Sequence, residues 1–248
     1  MESERSSGST TLLPRTHTQS MKRVKKLTIV AATGGVGRQL LEQAVAAGHD
    51  VTAVARNPGK LTRQVRTVTA DLAVVNTPAL EVAVAGADAV LSALGPHSNA
   101  DAGIAAPGTR SIVAAMQATG VRRIVVISAA PVGTVASPGN PHPPEHDPGD
   151  GFVMRHLFSR VAKAMFGKVY DDLARMEDIL RDSGLDWTIV RPPQLTDKSL
   201  TSAYRTAVDR NLRGGFSASR ADVAQLMLRV LDQPETIHHV VYRPPPVF

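Results

Sequence analysis

The chain has 248 residues, 43% hydrophobic and 20% charged, a length and balance that suit one α/β domain with a well-buried core. No apolar run reaches the roughly 18 residues of a membrane span, and the lack of cysteine excludes disulfides, thiol nucleophiles and thiolate metal sites. Of the formal charge of +6, +4 sits in residues 1–26; the remainder is not strongly basic and has no basic stripe interleaved with aromatics, which argues against a nucleic-acid partner.

Residues 1–26 read as a disordered basic tail, rich in Ser, Thr and Arg over 1–20 and without periodicity, ahead of a folded part at 27–248. Met21 is a candidate alternative start. Leu12-Leu13 is too short for a signal-peptide core, so a cytoplasmic location is expected.

The folded part opens with the apolar run Leu27–Ala31, read as a buried parallel strand. Thr33, Gly34, Gly35, Val36 and Gly37 then turn into a helix carried by Leu40, Leu41, Ala44 and Val45, which Gly48 stops. A second strand, Val51–Ala55, follows. Strand, glycine turn, helix and strand make a mononucleotide-binding unit, in which backbone N–H groups and the helix dipole receive a pyrophosphate. Glycines before a helix also have a purely steric reading, which the flanking strand and helix weaken.

The residue after the second strand bears on cofactor choice. A carboxylate there would bond a free ribose hydroxyl, whereas arginine pairs with a 2′-phosphate. This chain has Arg56, with Lys60 close behind and no Asp or Glu between Asp50 and Asp71, which points to NADP(H). The bland alternative for the two cations is a solvated basic loop.

Further along, Val65–Thr69 is predicted as a strand ending in Ala70-Asp71-Leu72, Thr77–Ala85 as a short helix, and Ala87–Ala93 as a strand ended by Leu94-Gly95-Pro96. A helix over Thr109–Thr119 precedes a fifth strand, Arg123–Ser128. Strand and crossover alternate, so the expected fold is α/β: a three-layer, doubly wound, mostly parallel sheet in a single domain. Six prolines make 131–150 a loop at the carboxyl edge of the sheet, a candidate substrate lid, in which His142 and His146 read as exposed groups rather than metal ligands. Helices near 152–166 and 168–183, a strand over Asp186–Val190 ended by Arg191-Pro192-Pro193, a helix over Ala221–Leu231 and a last strand near His238–Val241 complete the reading, with Tyr242 in the tail. Asp171, Asp172 and Glu177 are taken as surface groups favoured near a helix start, and Trp187, Phe152, Phe158 and Phe166 as core.

These segments resemble the atypical short-chain dehydrogenase/reductase superfamily, in particular its NAD(P)H-binding, NmrA-like members of the flavin reductase kind. The resemblance covers about residues 27–242. It is carried by Ala32-Thr33-Gly34-Gly35-Val36-Gly37, Val54-Ala55-Arg56 with Lys60, Asp71-Leu72, Ala89 to Gly95, Gly108 to Met116, Ile127-Ser128-Ala129, Asp171-Asp172 with Arg175-Met176, Ser183-Gly184-Leu185, and Pro192-Pro193 through Tyr204. It implies that Thr33 to Gly37 hold the pyrophosphate, Arg56 and Lys60 the 2′-phosphate, Asp71 and Leu72 the adenine, and Leu94 and Gly95 the ribose and nicotinamide side. Ser128 would then face the nicotinamide as the catalytic candidate, with Pro192 and Pro193 beside it. The chain departs from the pattern at Ala31, where a first glycine is usual, and at Leu173 and Gln194, where the flavin reductase kind has histidines.

The Tyr-x-x-x-Lys pair of typical short-chain dehydrogenases is absent: Ala174 stands four residues after Tyr170, and Val208 four after Tyr204. The remaining chemistry is hydride transfer from NADPH to a small acceptor that needs little enzymic acid, such as a flavin or quinone. A non-catalytic NADP(H) sensor of the NmrA-like kind is the alternative; a sugar-nucleotide epimerase fits poorly, because only about 55 residues follow Pro193. A monomer or homodimer, with neither nucleic-acid nor membrane partner, completes the expectation.

Overall fold

The computed structural model describes residues 23–72, 77–96, 101–145, 159–202, 206–209 and 217–242. The tail over 1–22, His146, Phe152 and Phe158 lie outside them. The elements run β1 (Lys26–Val30), α1 (Gly35–Ala46), β2 (Asp50–Ala55), β3 (Arg66–Thr69), α2 (Thr77–Val84), β4 (Ala89–Ser92), α3 (Ala105–Thr119) and β5 (Arg123–Ile127). They continue through α4 (Ser159–Arg181), β6 (Asp186–Arg191), β7 (Gln194–Thr196), β8 (Ala207–Val208), β9 (Ser217–Ser219), α5 (Arg220–Arg229) and β10 (His239–Tyr242).

Eight strands form one sheet in the order β3-β2-β1-β4-β5-β6-β10-β8, parallel except for the short edge strand β8. Period-two alternation divides each central strand between two cores. Val30, Val54, Val90, Ile124 and Val126 face α2, α3 and α4, while Leu27, Ile29, Leu91, Val125 and Val190 face α1 and α5. The result is the three-layer, doubly wound arrangement. Strand order reverses between β1 and β4, and the crevice beyond their carboxyl ends is where such sheets receive ligands. No helix among the described residues is long and apolar enough to cross a membrane.

The turn after β1 is tight because Ala31 adopts a left-handed conformation, φ 59°, from which its carbonyl accepts the Gly34 N–H at 2.9 Å. An L-residue with a Cβ is strained there by about 1–2 kcal/mol. Ala31→Gly is therefore expected to stabilise the fold by about 0.5–1 kcal/mol after the extra unfolded-state entropy of glycine is counted. Urea denaturation reads this as a higher midpoint; a lower one would contradict it.

Helix α3 begins a turn before the predicted Thr109. Ile104 offers no side-chain cap; instead Asp172, on α4, accepts the N–H groups of Gly103, Ala105 and Ala106 at 2.8, 2.9 and 3.0 Å. Pro107 sits in the first turn, where it has no N–H to lose. Asp172 is thus a buried cap from a neighbouring helix, 5% exposed, and not the surface group expected from sequence. Asp172→Ala should cost about 1–3 kcal/mol, the penalty of leaving buried N–H groups without an acceptor, measurable by thermal or urea unfolding.

The two helices predicted on either side of residue 167 meet within Ser159–Arg181 at a kink, where Phe166 leaves the helical conformation (φ −126°, ψ 20°) ahead of Gly167. Phe166 is 38% exposed rather than core, while Trp187 is buried as expected. The loop after β5 starts with a 3-10 turn over Ala130–Thr134. Asp178 on α4 ties it down, accepting Ser137 Oγ and the Gly139 N–H, each at 3.0 Å. His142 is exposed, and no group of metal-ligating side chains occurs among the described residues.

Candidate cofactor and active site

The start of α1 lies at the carboxyl end of β1. Its N-cap is Gly34, which has no side chain to accept the first helical N–H groups, and the first turn carries no acidic residue. A Cβ on Gly37 would stand 2.1 Å from the Ala31 carbonyl oxygen, so this close crossing of turn and helix requires glycine. Thr33 is half-buried, Val36 is anchored in the core and Gly35 is exposed. A helix start with uncapped N–H groups and a favourable dipole suits a phosphate.

Arg56 directly follows β2 and Lys60 closes the 3-10 turn over Pro58–Lys60; both are exposed, and no ion pair among the described residues engages either. Asp71 is exposed and Leu72 buried just past β3. Leu94 is buried and Gly95 half-buried beyond β4. Gly108 of α3 packs beneath these two leucines: a Cβ there would meet Leu94 Cδ2 at 2.5 Å and Leu72 Cβ at 3.3 Å. Its lack of a side chain lets α3 support the crevice wall, a role that spacing alone does not disclose.

Ser128 follows β5 and is 7% exposed. Its hydroxyl donates to Glu177 Oε1 at 2.7 Å. Glu177, fully buried on α4, also accepts Arg191 Nε on Oε1 at 2.9 Å and Arg191 Nη2 on Oε2 at 2.5 Å, and Arg181 Nη2 on Oε2 at 2.7 Å. Arg191 Nη1 donates to the Tyr242 hydroxyl at 2.5 Å, and its guanidinium lies 5.6 Å from the centre of that ring. Burial pushes the Glu177 carboxyl up, but the charge and paired hydrogen bonds of Arg191, then Arg181 and Ser128, bring it below the usual carboxylate range. The carboxylate is ionised and accepts the Ser128 O–H as a hydrogen bond, so Ser128 presents lone pairs, not a proton, to anything beside it.

This network corrects two expectations. Glu177 is a buried ion-pair centre rather than a surface acid, and Tyr242 is the buried last residue of β10 rather than part of a tail. Pro192 is buried with its carbonyl accepting the Ala130 N–H at 2.9 Å, and Pro193 is half-buried beside it. Both border the Ser128 end of the crevice, since the Ser128 N–H is held by the Val190 carbonyl at 2.8 Å. Leu173 is buried in the core, whereas Gln194 is exposed in β7. The Tyr170 phenol is half-buried and its ionisation is pushed up by burial, which moves it away from proton exchange near neutral pH.

The sequence profile of the NAD(P)H-binding family matches residues 31–234, from the strained turn to beyond α5. The chain belongs to that family. A relative, the uncharacterised YwnB protein of Bacillus subtilis (strain 168), is 25% identical over 229 residues, covering 85% of this chain and 93% of its own. Among solved structures, a short-chain dehydrogenase/reductase from Veillonella parvula in complex with NADP superposes with a TM-score of 0.70 at 18% identity, covering 90% of this chain and 96% of that one. ChuY, an anaerobilin reductase from Escherichia coli O157:H7, superposes with a TM-score of 0.69 at 23% identity, covering 90% and 98%. These likenesses establish the shared fold. The NAD(P)H-binding fold thus accommodates the uncapped glycine helix start, and the residues present there fit a dinucleotide pyrophosphate.

Proposed function

We propose that this NAD(P)H-binding protein is an NADPH-dependent reductase that passes hydride to a small conjugated acceptor such as a flavin, quinone or bilin. The observation that carries the reading is the placement of Arg56 and Lys60, two exposed cations immediately beyond β2, on the side of the sheet where a dinucleotide bound in such a fold would lay its adenosine ribose. Thr33 to Gly37 would hold the pyrophosphate through backbone N–H groups. Arg56, as a planar fork, and Lys60, as a point charge, would hold the 2′-phosphate. Asp71 and Leu72 would border the adenine, Leu94 and Gly95 the ribose and nicotinamide side, and Ser128, Pro192 and Pro193 the nicotinamide. When bound, the cofactor supplies the hydride from its nicotinamide ring.

The protein's own contribution is position rather than proton transfer. Ser128 is committed as a donor to Glu177, so it would orient a neighbouring N–H through its lone pairs. With the Tyr-x-x-x-Lys pair absent and the Tyr170 phenol shifted up, an acceptor that takes its proton from solvent suits the site. The anaerobilin reductase of the same fold, ChuY, supports a conjugated acceptor.

The test is turnover. NADPH mixed with the protein and a panel of flavins, quinones and bilins should lose absorbance at its reduced-nicotinamide band with at least one acceptor, and Tyr170→Phe should retain that rate. Tight NADPH binding with no oxidation across the panel would contradict a reductase and favour a cofactor sensor.

A further inference from the structure

Residues 194–196 and 217–219 pair as a two-stranded parallel sheet, β7 with β9, separate from the main sheet. Ser219 then caps α5, its Oγ accepting the Asp222 N–H at 3.0 Å, and Gln43 of α1 donates to the Ala221 carbonyl at 2.8 Å. These bonds fix Arg220, the first residue of α5, against the start of α1. Its side chain lies across Gly35: a Cβ on that glycine would stand 2.6 Å from Arg220 Nε and 2.7 Å from its Cδ. The guanidinium therefore lies over the exposed first residue of the uncapped helix.

The described partner of that guanidinium is Asp197, with Nη1 to Oδ1 at 2.7 Å. The Asp197 side chain is 90% exposed, and pairs so open to water contribute little. Such a pair is cheap to exchange for a more highly charged partner, and the uncapped N–H groups beside it attract one of the same sign as Asp197.

Resting on the cofactor site proposed above, we propose that Arg220 is a further cofactor-binding residue: it clamps the dinucleotide pyrophosphate from the α5 side, exchanging the Asp197 carboxylate for the phosphate oxygens. The clamp reads the part that NADPH and NADH share. It adds affinity without adding discrimination, in contrast to Arg56 and Lys60.

The experiment is calorimetric titration of NADPH and of NADH into the full chain and into Arg220→Gln, Arg220→Lys, Asp197→Asn and the double variant, each first checked for an unchanged unfolding midpoint. Arg220→Gln keeps a stem to pack on Gly35 but removes the charge, so a folding defect is separable from a binding one. Arg220→Gln should weaken both nucleotides by a similar factor, roughly 10-fold or more as expected for a charge-assisted hydrogen bond, with Arg220→Lys intermediate. Asp197→Asn should tighten both severalfold, and that gain should vanish in the Arg220→Gln background. Unchanged binding in a folded Arg220→Gln protein, a loss confined to NADPH, or a gain from Asp197→Asn that persists without Arg220 would overturn the clamp. If the unsubstituted protein binds neither nucleotide, the cofactor site itself fails, an outcome distinct from these and equally fatal to the clamp.

Discussion

Replacing Glu177 by alanine is expected to destabilise the fold by about 3–5 kcal/mol, the scale for breaking a buried ion pair from one side. The loss arises less from the missing bonds than from what remains: Arg191, 7% exposed, would keep its charge with the neutral Tyr242 hydroxyl as its remaining partner among the described residues. Glu177→Gln should be nearly as harmful, since an amide matches the shape but not the charge. By contrast, the double replacement Glu177→Leu with Arg191→Met removes both charges together, and should cost less than the sum of the two single changes. Urea unfolding of the parent, Glu177→Leu, Arg191→Met and their double measures the coupling; a Glu177→Ala protein within about 1 kcal/mol of the parent would refute the buried-pair penalty. The same pair sets a pH dependence. The folded carboxyl is lowered, so its contribution is present above the unfolded value of roughly 4.3 and is lost as pH falls through the folded one. Stability should therefore drop on the acid side more steeply in the parent than in the double replacement.

Removing the cations beyond β2 is expected to have the second large effect, on binding rather than on stability. Arg56→Ala should weaken NADPH by about 10- to 150-fold, the range for a hydrogen bond to a charged group, and Lys60→Ala by a smaller factor. NADH, which lacks the 2′-phosphate, should be bound equally by parent and variants within about twofold. Both side chains are exposed, so neither change should alter the unfolding free energy by more than about 0.5 kcal/mol. Raising salt should narrow the preference, because exposed charges are screened within about 10 Å at 0.1 M. Equal losses for the two nucleotides would place these cations elsewhere on the cofactor, or away from it.

Local signals made the cofactor half of the molecule legible. The apolar runs of β1, β2, β4 and β5 are buried on both faces and so stand out without alternation, and the glycines at 34 and 37 have the strand and helix they need on either side. What escaped the sequence depends on contacts between distant segments. Ser128 was locatable at a strand end, but its partner Glu177 lies 49 residues away and looks like any acid on an amphipathic helix. Asp172 reaches α3 across 66 to 69 residues, which hid the true start of that helix behind Pro107 and Gly108. Strands β7 and β9 have three residues each, too few for a periodic signal, and Arg220 owes its position over Gly35 to them. Ala31 shows the reverse case: its departure from glycine was visible in the sequence, while the strain it implies required the backbone angle.

The claim at the centre is that a cationic cradle beyond β2 selects the phosphorylated dinucleotide. Isothermal calorimetry of the unsubstituted protein with NADPH and with NADH, at matched low ionic strength, tests it without any assumption about the acceptor. NADPH should bind at least about 10-fold more tightly, corresponding to about 1.4 kcal/mol. Equal affinity for the two, or tighter binding of NADH, would contradict the account.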